Sequence, residues 1–228
     1  VLRTNRDDYF SRFDSHFRSR MPQDKDDKMD ELLEDPTIEE GWKEYNRNMQ
    51  ARADYFNNSE AYSLQSPTVG GKKTTSENEL SILFLERVTD LIDTSGYVSF
   101  VIPNVIFTSA SGKDLRQYLM EEASIQSIIH FENNGIFDGI DTRYRFGILT
   151  FKNSGTTQSI KAAFGEKSLD IINEFDQRTV DIPRRVLDRY SPEAKLIPQV
   201  SSKDPEGAVS EVDVLDKIVQ HPPLDELI

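Results

Sequence analysis

The sequence predicts an α/β protein built around a layered sheet. An amphipathic helical pattern at residues 80–92 precedes a nearly continuous apolar run at residues 97–102. A second helical pattern, at residues 115–120, precedes another apolar run at residues 125–132. Helices that alternate with strands in this way are typical of α/β sheets. A further strand is predicted at residues 143–152, where apolar and smaller residues alternate.

The first helix and the strand after it have recognisable ends. Gly96 is expected to stop the helix, and Pro103 to end the strand. The strand is apolar at most positions, so we expect it to be buried on both faces. The helix is predicted by apolar residues spaced three and four positions apart, namely Leu80, Leu83, Phe84, Val88, Leu91 and Ile92.

The last two predicted strands are joined by a short connection. Only residues 133–142 separate them, which suits an antiparallel hairpin rather than a crossover helix. The order helix, strand, helix, strand, loop, strand makes half of an open α/β sheet. The remaining strands must come from another segment of a longer protein or from a second copy.

Two flanking regions lack this alternation. Residues 1–76 are polar and are expected to be mainly helical, with Asp35 capping a helix that starts at Pro36. Residues 77–155 carry the sheet. Residues 156–228 contain several prolines and are expected to form an irregular arm, with a terminal helix and a connection to another domain.

The charge balance restricts the partners of the chain. The formal net charge is −13, from 40 acidic and 27 basic residues. Phosphate neutralisation supplies much of the affinity of DNA-binding surfaces, so this balance argues against a stand-alone DNA binder. Cytoplasmic proteins of salt-loving, halophilic organisms are also acidic whatever they bind, and both explanations stay open.

Other site classes are excluded by composition and spacing. The chain has no cysteine, so it forms neither disulfides nor thiolate metal sites. Its three histidines are too scattered for a metal site. The longest apolar stretch, residues 97–107, is interrupted by polar residues and falls short of the ~18 residues of a membrane span. No signal peptide is visible, so we expect a soluble, cytoplasmic protein with no membrane contact.

Several blocks of the sequence resemble parts of large adenine-N6 DNA methyltransferases. In chain order they are similar to the fifth-strand region, the hairpin that closes the catalytic sheet, and the arm that follows it. The families are the type IIG restriction-modification enzymes and the methylases of the BREX and phage-growth-limitation defence systems. The blocks are Gly96–Pro103, Phe107–Arg116, Ile129–Phe137, Asp141–Phe151, Arg189–Pro192, Ile197-Pro198 and His221–Leu224.

This resemblance implies a partial Rossmann-like methyltransferase sheet that acts on double-stranded DNA. In these families the target adenine leaves the duplex, and its amino nitrogen attacks the methyl group of S-adenosylmethionine. A glycine-rich turn holds the cofactor and an Asn-Pro-Pro-aromatic loop holds the amine, and neither motif is present here. We therefore expect the C-terminal half of such a domain, cut just after the catalytic loop, with no catalytic residue and no methyl transfer of its own.

Other functions stay open at this point. The chain is alternatively a non-catalytic DNA-recognition or protein-interaction module with a methylase-like sheet, or an acidic scaffold with no nucleic-acid role. A half-sheet also leaves an open edge. We expect that edge to pair with the rest of the parent chain, or to drive homodimerisation or aggregation.

The resemblance places candidate DNA contacts at the start of the last strand. Tyr144 and Phe146 lie where these families have the aromatic that stacks on a flipped base, a contact that contributes about 1–3 kcal/mol. The alternative is an ordinary half-buried strand. Arg143 and Arg145 alternate with the aromatics and are suited to contact phosphate, the alternative being salt bridges to carboxylates.

A second set of candidates follows the first predicted strand. Thr108, Ser109, Ser111 and Lys113 come after its carboxyl end, where open α/β sheets bind ligands. We expect Thr108, Ser109 and Lys113 to reach the DNA or the target pocket. The alternative is simple helix capping by Ser111.

Overall fold

The computed structural model describes residues 3–65, 67–73, 79–201 and 210–221. The chain divides into two compact units, one comprising Val1–Ser63 with Glu77–Leu80 and the other Leu64–Ser76 with Ser81–Ile228. The predicted α/β class is confirmed, because the second unit contains a five-stranded mixed sheet with helices. In the described part of the chain, no helix is both long and apolar enough to cross a membrane.

The first unit is helical, as predicted. It comprises α1 (Arg6–Phe10), α2 (Pro22–Leu33) and α3 (Pro36–Asn58). Asp35 caps α3 as expected, since its carboxylate accepts a hydrogen bond of 2.8 Å from the amide of Thr37. No residue of α2 or α3 is fully buried, so the acidic run along α2 is a solvated helix face.

A small aromatic cluster holds this helical unit together. Tyr9, Phe10 and Phe17 are buried, and Trp42 packs against them. The Tyr9 hydroxyl donates a hydrogen bond of 2.9 Å to the carbonyl of Ile38. Aromatic pairs in such tilted and edge contacts contribute about 0.5–1.5 kcal/mol beyond the area that they bury. The stability of the unit therefore depends on a few rings at one end of the helical pair.

The second unit is organised by a five-stranded sheet and also holds a small two-stranded hairpin. The strands are β1 (Thr68–Val69), β2 (Lys72–Lys73), β3 (Tyr97–Pro103), β4 (Ser124–Glu132), β5 (Arg145–Lys152), β6 (Ser159–Glu166) and β7 (Val180–Pro183). The hairpin is formed by β1 and β2, and the sheet has the order β3-β5-β4-β6-β7. Strand β5 is antiparallel to both β3 and β4, β6 is parallel to β4, and β7 is antiparallel to β6. The helices are α4 (Leu80–Leu91), α5 (Val105–Thr108), α6 (Lys113–Glu121), α7 (Phe175–Arg178), α8 (Arg184–Tyr190) and α9 (Glu211–Ile218).

Helices α4 and α6 cover one face of this sheet. Leu115, Leu119 and Met120 of α6 are at most 1% exposed and pack into the larger core cluster, as their spacing predicts. Ile82 and Leu85 of α4 belong to the same cluster. The strands present alternate residues to these helices, which fixes the sheet register because a slip of one residue would reverse every side chain.

Strand β5 lies between β3 and β4 and is paired along both sides. Gly147 is opposite Ile102 on one side and His130 on the other. A Cβ atom at this glycine would lie 2.7 Å from the ring of Phe107, so the absence of a side chain lets α5 approach the sheet. The predicted antiparallel hairpin of β4 and β5 is confirmed.

The sheet extends beyond residue 155, where the sequence pattern was expected to give way to an arm. Residues 159–166 form β6 and residues 180–183 form β7. Strand β6 is rich in alanine and glycine, so its sequence lacks a regular apolar alternation. Its pairing with β4 is also irregular, with a register shift between Ile129 and Phe131. Pro222 to Leu224 of the predicted arm lie outside the described residues.

Strand β3 is not buried on both faces, contrary to its apolar sequence. Val98 and Ile102 are buried against the helices, but Tyr97 is 65% exposed and Val101 55% exposed. The strand lies at one end of the sheet order. One of its faces and its outer edge are therefore uncovered by the described residues of this unit.

His130 stabilises the irregular pairing of β4 with β6. Its side chain is 2% exposed, and its Nδ1 atom accepts a hydrogen bond of 3.2 Å from the amide of Gly165. The ring proton is therefore on Nε2, which has no hydrogen-bond partner among the described residues. Burial, with a smaller contribution from the charge of Arg145, lowers the pKa of His130 to about 4.

We predict that the second unit loses stability as the pH falls from 6.5 towards 4. In this pH range His130 is protonated in the unfolded chain but stays neutral in the folded chain. The contribution of neutral His130 to the free energy of unfolding is therefore fully present above pH 6.5 and is lost as the pH falls towards 4. The total loss is on the order of 3 kcal/mol. Urea unfolding at a series of pH values measures it.

The matched variants are His130→Gln, which has no titratable ring, and His16→Gln at an exposed position. We expect the pH dependence to flatten only in the first variant. Equal pH dependence in wild type and His130→Gln would contradict the assignment.

Candidate nucleic-acid interface

The candidate site lies at the carboxyl edge of β3 and β4. Both strands run antiparallel to β5, so both end where β5 begins. Pro103 pairs with Phe146, and Glu132 pairs with Arg145. Ligands of open α/β sheets bind outside the carboxyl ends of the strands. The structure thus brings the loop after β3 and the β4–β5 loop to the same edge.

The two candidate stacking residues are placed differently. Phe146 is 3% exposed, and its ring stacks on Phe131 at 5.2 Å and contacts Phe137 at 4.8 Å. It is a core residue and does not present its ring to a ligand. Tyr144 lies just before β5 and is 40% exposed. The prediction of base stacking is therefore restricted to Tyr144.

Both candidate arginines form ion pairs with carboxylates. Arg143 donates to Asp141 at 2.6 Å while remaining 88% exposed, and this hydrogen bond lowers the pKa of Asp141. Arg145 donates to Glu132 at 3.1 Å across the strand pair. Such exposed pairs contribute little to stability. A phosphate group that bound here would have to displace the carboxylates.

A buried asparagine organises the loop that carries Tyr144. Asn133 is fully buried, and its Nδ2 group donates to the carbonyls of Phe137 at 3.2 Å, Ile140 at 3.0 Å and Asp141 at 3.4 Å. Its Oδ1 atom accepts a hydrogen bond of 2.8 Å from the amide of Phe137. One side chain thus replaces the cross-strand hydrogen bonds that a longer hairpin would have. It gives residues 133–144 a defined conformation.

This loop presents an apolar rim at the sheet edge. Phe137 is 39% exposed and Ile140 is 45% exposed, close in sequence to Tyr144. The two ends of the loop are joined, because the backbone N–H of Asn133 donates a hydrogen bond of 2.9 Å to the carbonyl of Tyr144. Exposed apolar groups on an ordered loop suit contact with the faces of nucleobases.

The turn after β3 contains the remaining candidates. Thr108 is exposed and donates to the carbonyl of Asn104 at 3.3 Å. Ser109, rather than Ser111, caps the short 3₁₀ turn that follows, because its hydroxyl accepts from the amide of Ser111 at 3.3 Å. Lys113 donates to the carbonyl of Thr68 at 2.9 Å. These polar groups are engaged in shaping the turn, and Thr108 is the most outward of them.

Charges along the edge are balanced rather than basic. Lys167 lies 3.4 Å from the carboxylate of Glu132. Glu166 is 5% exposed and pairs with Arg178, which also contacts Glu174 at 3.2 Å. Each of these cations already has an anionic partner. DNA binding at this edge would therefore depend on contacts with the bases more than on phosphate neutralisation.

Sequence reasoning missed two residues that shape the edge. Arg116 is 1% exposed, and its guanidinium donates to the carbonyls of Lys195 at 2.7 Å, and of Ile106 and Ala194 at 2.5 Å each. The sequence signal for its burial was its position on the same helical face as Met120, among the apolar residues of α6. For Asn133 the available signal was its position directly after an apolar strand, where a polar residue indicates a turn.

The described residues do not fit the S-adenosylmethionine site that the family resemblance implies. In the described ranges, no strand of the sheet runs into a glycine-rich turn and then a helix. Gly70 and Gly71 lie in the tight loop between β1 and β2 and do not follow an apolar strand. The part of the chain that the structure describes therefore lacks the glycine-rich turn that would hold the cofactor.

Comparison with protein families identifies one match. Residues 45–137 match the family described as Eco57I restriction-modification methylase. This range includes β3, β4 and the start of the β4–β5 loop. The match confirms the resemblance to restriction-modification methylases over these residues. Comparison with curated protein sequences gave no match.

Solved structures similar to the chain are also restriction-modification proteins. They include a modification subunit of a putative type I restriction enzyme from Vibrio vulnificus YJ016, at 19% identity over 45% of this chain with a TM-score of 0.36. The EcoKI M protein is similar at 14% identity over 67% of this chain with a TM-score of 0.44. The type IIG endonuclease BpuSI is similar at 19% identity over 42% of this chain with a TM-score of 0.33. The chain spans 26%, 42% and 11% of their respective lengths.

We predict that Asn133→Asp destabilises the second unit by on the order of 3 kcal/mol. The substitution keeps the shape of the side chain but replaces the Nδ2 donor with an oxygen that faces three carbonyls. Urea unfolding measures the free energy. Asn134→Asp, at the exposed neighbouring position, is the control and should change little. An unfolding free energy of Asn133→Asp equal to that of the control would show that the buried amide does not hold the loop.

Proposed function

We propose that the chain is the C-terminal half of an S-adenosylmethionine-dependent adenine-N6 DNA methyltransferase domain of a restriction-modification or phage-defence protein. The observation that carries the proposal is the match of residues 45–137 to a restriction-modification methylase family. The ordered loop that presents Tyr144 at the carboxyl edge supports it. Double-stranded DNA is the proposed substrate.

In this proposal the edge residues receive the target base. Tyr144 stacks on the adenine once it has left the duplex, and the apolar rim of the loop excludes water from one side of it. Arg143 and Arg145 exchange their carboxylate partners for backbone phosphates near the target. Thr108, Ser109 and Lys113 line the opposite side of the edge. When bound, the cofactor supplies the methyl group to the exocyclic amine.

Methyl transfer also needs groups that this sequence does not contain. The cofactor-binding turn and the Asn-Pro-Pro-aromatic loop are absent from the 228 residues. We propose that another part of the parent protein supplies them, so that this chain is inactive alone. Residues 1–76 would follow the catalytic loop, residues 77–155 would complete the sheet together with β6 and β7, and the remaining residues would connect to a target-recognition domain.

The uncovered edge of β3 is the proposed meeting point with the other half of the sheet. Edge strands with exposed apolar side chains favour pairing with another chain, and Tyr97 and Val101 are more than half exposed. A homodimer through this edge stays a prediction for the isolated chain. Light scattering over a range of concentrations tests it, and a monomer throughout would contradict it.

A non-catalytic recognition module is the second candidate. The missing motifs favour it, since a module would need neither cofactor nor turnover. The two candidates differ in the parent protein. A methyltransferase is protected from unfolding by S-adenosylmethionine, whereas a module binds DNA and gains no stability from the cofactor.

The reading frame that encodes the chain provides the first test. We expect it to encode an Asn-Pro-Pro-aromatic motif before the Val1 codon and, further upstream, a glycine-rich turn after a strand. The protein from that complete frame should transfer labelled methyl groups to unmodified DNA, with N6-methyladenine as the product by mass spectrometry. The 228-residue chain alone is the control and should transfer none. A frame without these motifs, or activity of the chain alone, would overturn the proposal.

A further inference from the structure

Arg116 is the largest of the fully buried side chains, and the structure gives it no carboxylate partner among the described residues. Its guanidinium instead donates to three backbone carbonyls. One belongs to Ile106 in α5, and the others belong to Ala194 and Lys195, about eighty residues further along the chain. Burial lowers the pKa of Arg116 to about 10, which still leaves it charged. The cost of burying this charge is offset by charge-assisted hydrogen bonds.

These hydrogen bonds attach the segment 194–200 to the turn after β3. Gly112 makes room for the guanidinium, because a Cβ atom there would lie 2.6 Å from Arg116 Nη1. Further along the segment, the amide of Ile197 donates to the carbonyl of Phe107 at 3.2 Å. Two chain regions far apart in sequence thus form one ordered wall of the sheet edge.

The attached segment places one polar side chain at the edge. Ile197 and Val200 are 4% exposed each and Pro198 is buried, so the backbone on either side of Gln199 is fixed. Gln199 itself is exposed, and its Nε2 group donates to Asn104 Oδ1 at 3.2 Å. The backbone N–H of Asn104 donates a hydrogen bond of 3.1 Å to the carbonyl of Arg145. The side-chain amides of Gln199 and Asn104 therefore lie beside the start of β5, and Tyr144 is the residue directly before that strand.

We infer that Gln199, paired with Asn104, contacts the nucleobase that enters the carboxyl edge, and that Arg116 positions it there. With the mutual hydrogen bond made, Gln199 Oε1 is an acceptor and Asn104 Nδ2 is a donor. A donor beside an acceptor complements the N6 amino group and a ring nitrogen of adenine, as amide side chains do in base recognition. The inference rests on the proposed role in adenine methylation. It assigns a base contact to a residue of the predicted arm.

The test compares two DNA single strands whose bases stack equally well but differ in the 6-amino group of the purine. The 228-residue chain is titrated with fluorescent single strands of about twenty nucleotides, one of deoxyadenosine and one of 2′-deoxynebularine, which lacks the 6-amino group. We expect the wild type to bind the adenine strand about fivefold or more tightly, as one paired contact implies. Gln199→Leu should bind both strands equally, at the level of the nebularine strand.

Two further variants separate positioning from folding. Gln126→Leu removes an exposed amide near the start of β4, at the other end of the strand, and should keep the preference for adenine. Arg116→Lys cannot donate in the three directions of the guanidinium, so it should lower the preference in a chain that circular dichroism shows to be folded. If Arg116→Lys does not fold, Gln199→Leu still decides the inference.

The inference is overturned if Gln199→Leu keeps the preference, or if the wild type binds both strands equally or neither. These outcomes differ from a failure of the proposed function. The upstream motifs and the methyl transfer of the complete protein are measured without reference to Gln199.

Discussion

The antiparallel insertion of β5 between β3 and β4 is the constraint on which the rest of the second unit depends. Because β3 and β4 both run antiparallel to β5, their carboxyl ends lie at the same edge of the sheet. The loop after β3, the β4–β5 loop and the end of β6 all leave the sheet there. If β3 or β4 ran parallel to β5, its carboxyl end would lie at the opposite edge of the sheet. The location of the candidate site is therefore set by strand direction before any side chain is considered.

Buried polar groups then give this edge its shape. Asn133 closes the β4–β5 loop, His130 satisfies the amide of Gly165 where the β6 pairing shifts, and Arg116 attaches the segment 194–200. Each group lies in the interior near the edge, and each bonds mainly to backbone. A buried polar group left without partners costs about 1–3 kcal/mol, so each contact specifies one backbone conformation against alternatives. Order at the edge is thus obtained from single side chains, while the apolar core supplies most of the stability.

The sequence predicted the parts of this fold that have regular apolar periodicity. The helix at residues 80–91, the strands β3, β4 and β5, and the hairpin between the last two follow directly from spacing. Strands β6 and β7 were missed because Ala162, Ala163 and Gly165 carry little hydrophobic signal and β7 is only four residues long. The exposed face of β3 was missed because an apolar strand has the same sequence pattern whether one of its faces is exposed or both are buried.

The residues of the candidate site could be proposed from the sequence, but their exposure could not. The family resemblance placed Tyr144 and Phe146 at the same strand start, and nothing in the sequence separated the exposed ring from the buried one. The position of Gln199 beside Asn104 had no local signal, because its segment is attached through Arg116, two of whose hydrogen-bond partners lie 78 and 79 positions away. Contacts between distant segments of this kind require the folded chain.

The central claim is that Tyr144 receives the target base, and the most direct measurement is the methyl transfer rate of the protein from the complete reading frame on unmodified genomic DNA. The account predicts that Tyr144→Ala lowers kcat/KM by about tenfold or more through the loss of stacking, and that Tyr144→Phe retains most of the activity. Tyr190→Ala, at a similarly exposed tyrosine of α8, should behave as wild type. Full activity of Tyr144→Ala, or an equal loss in Tyr190→Ala, would contradict the account.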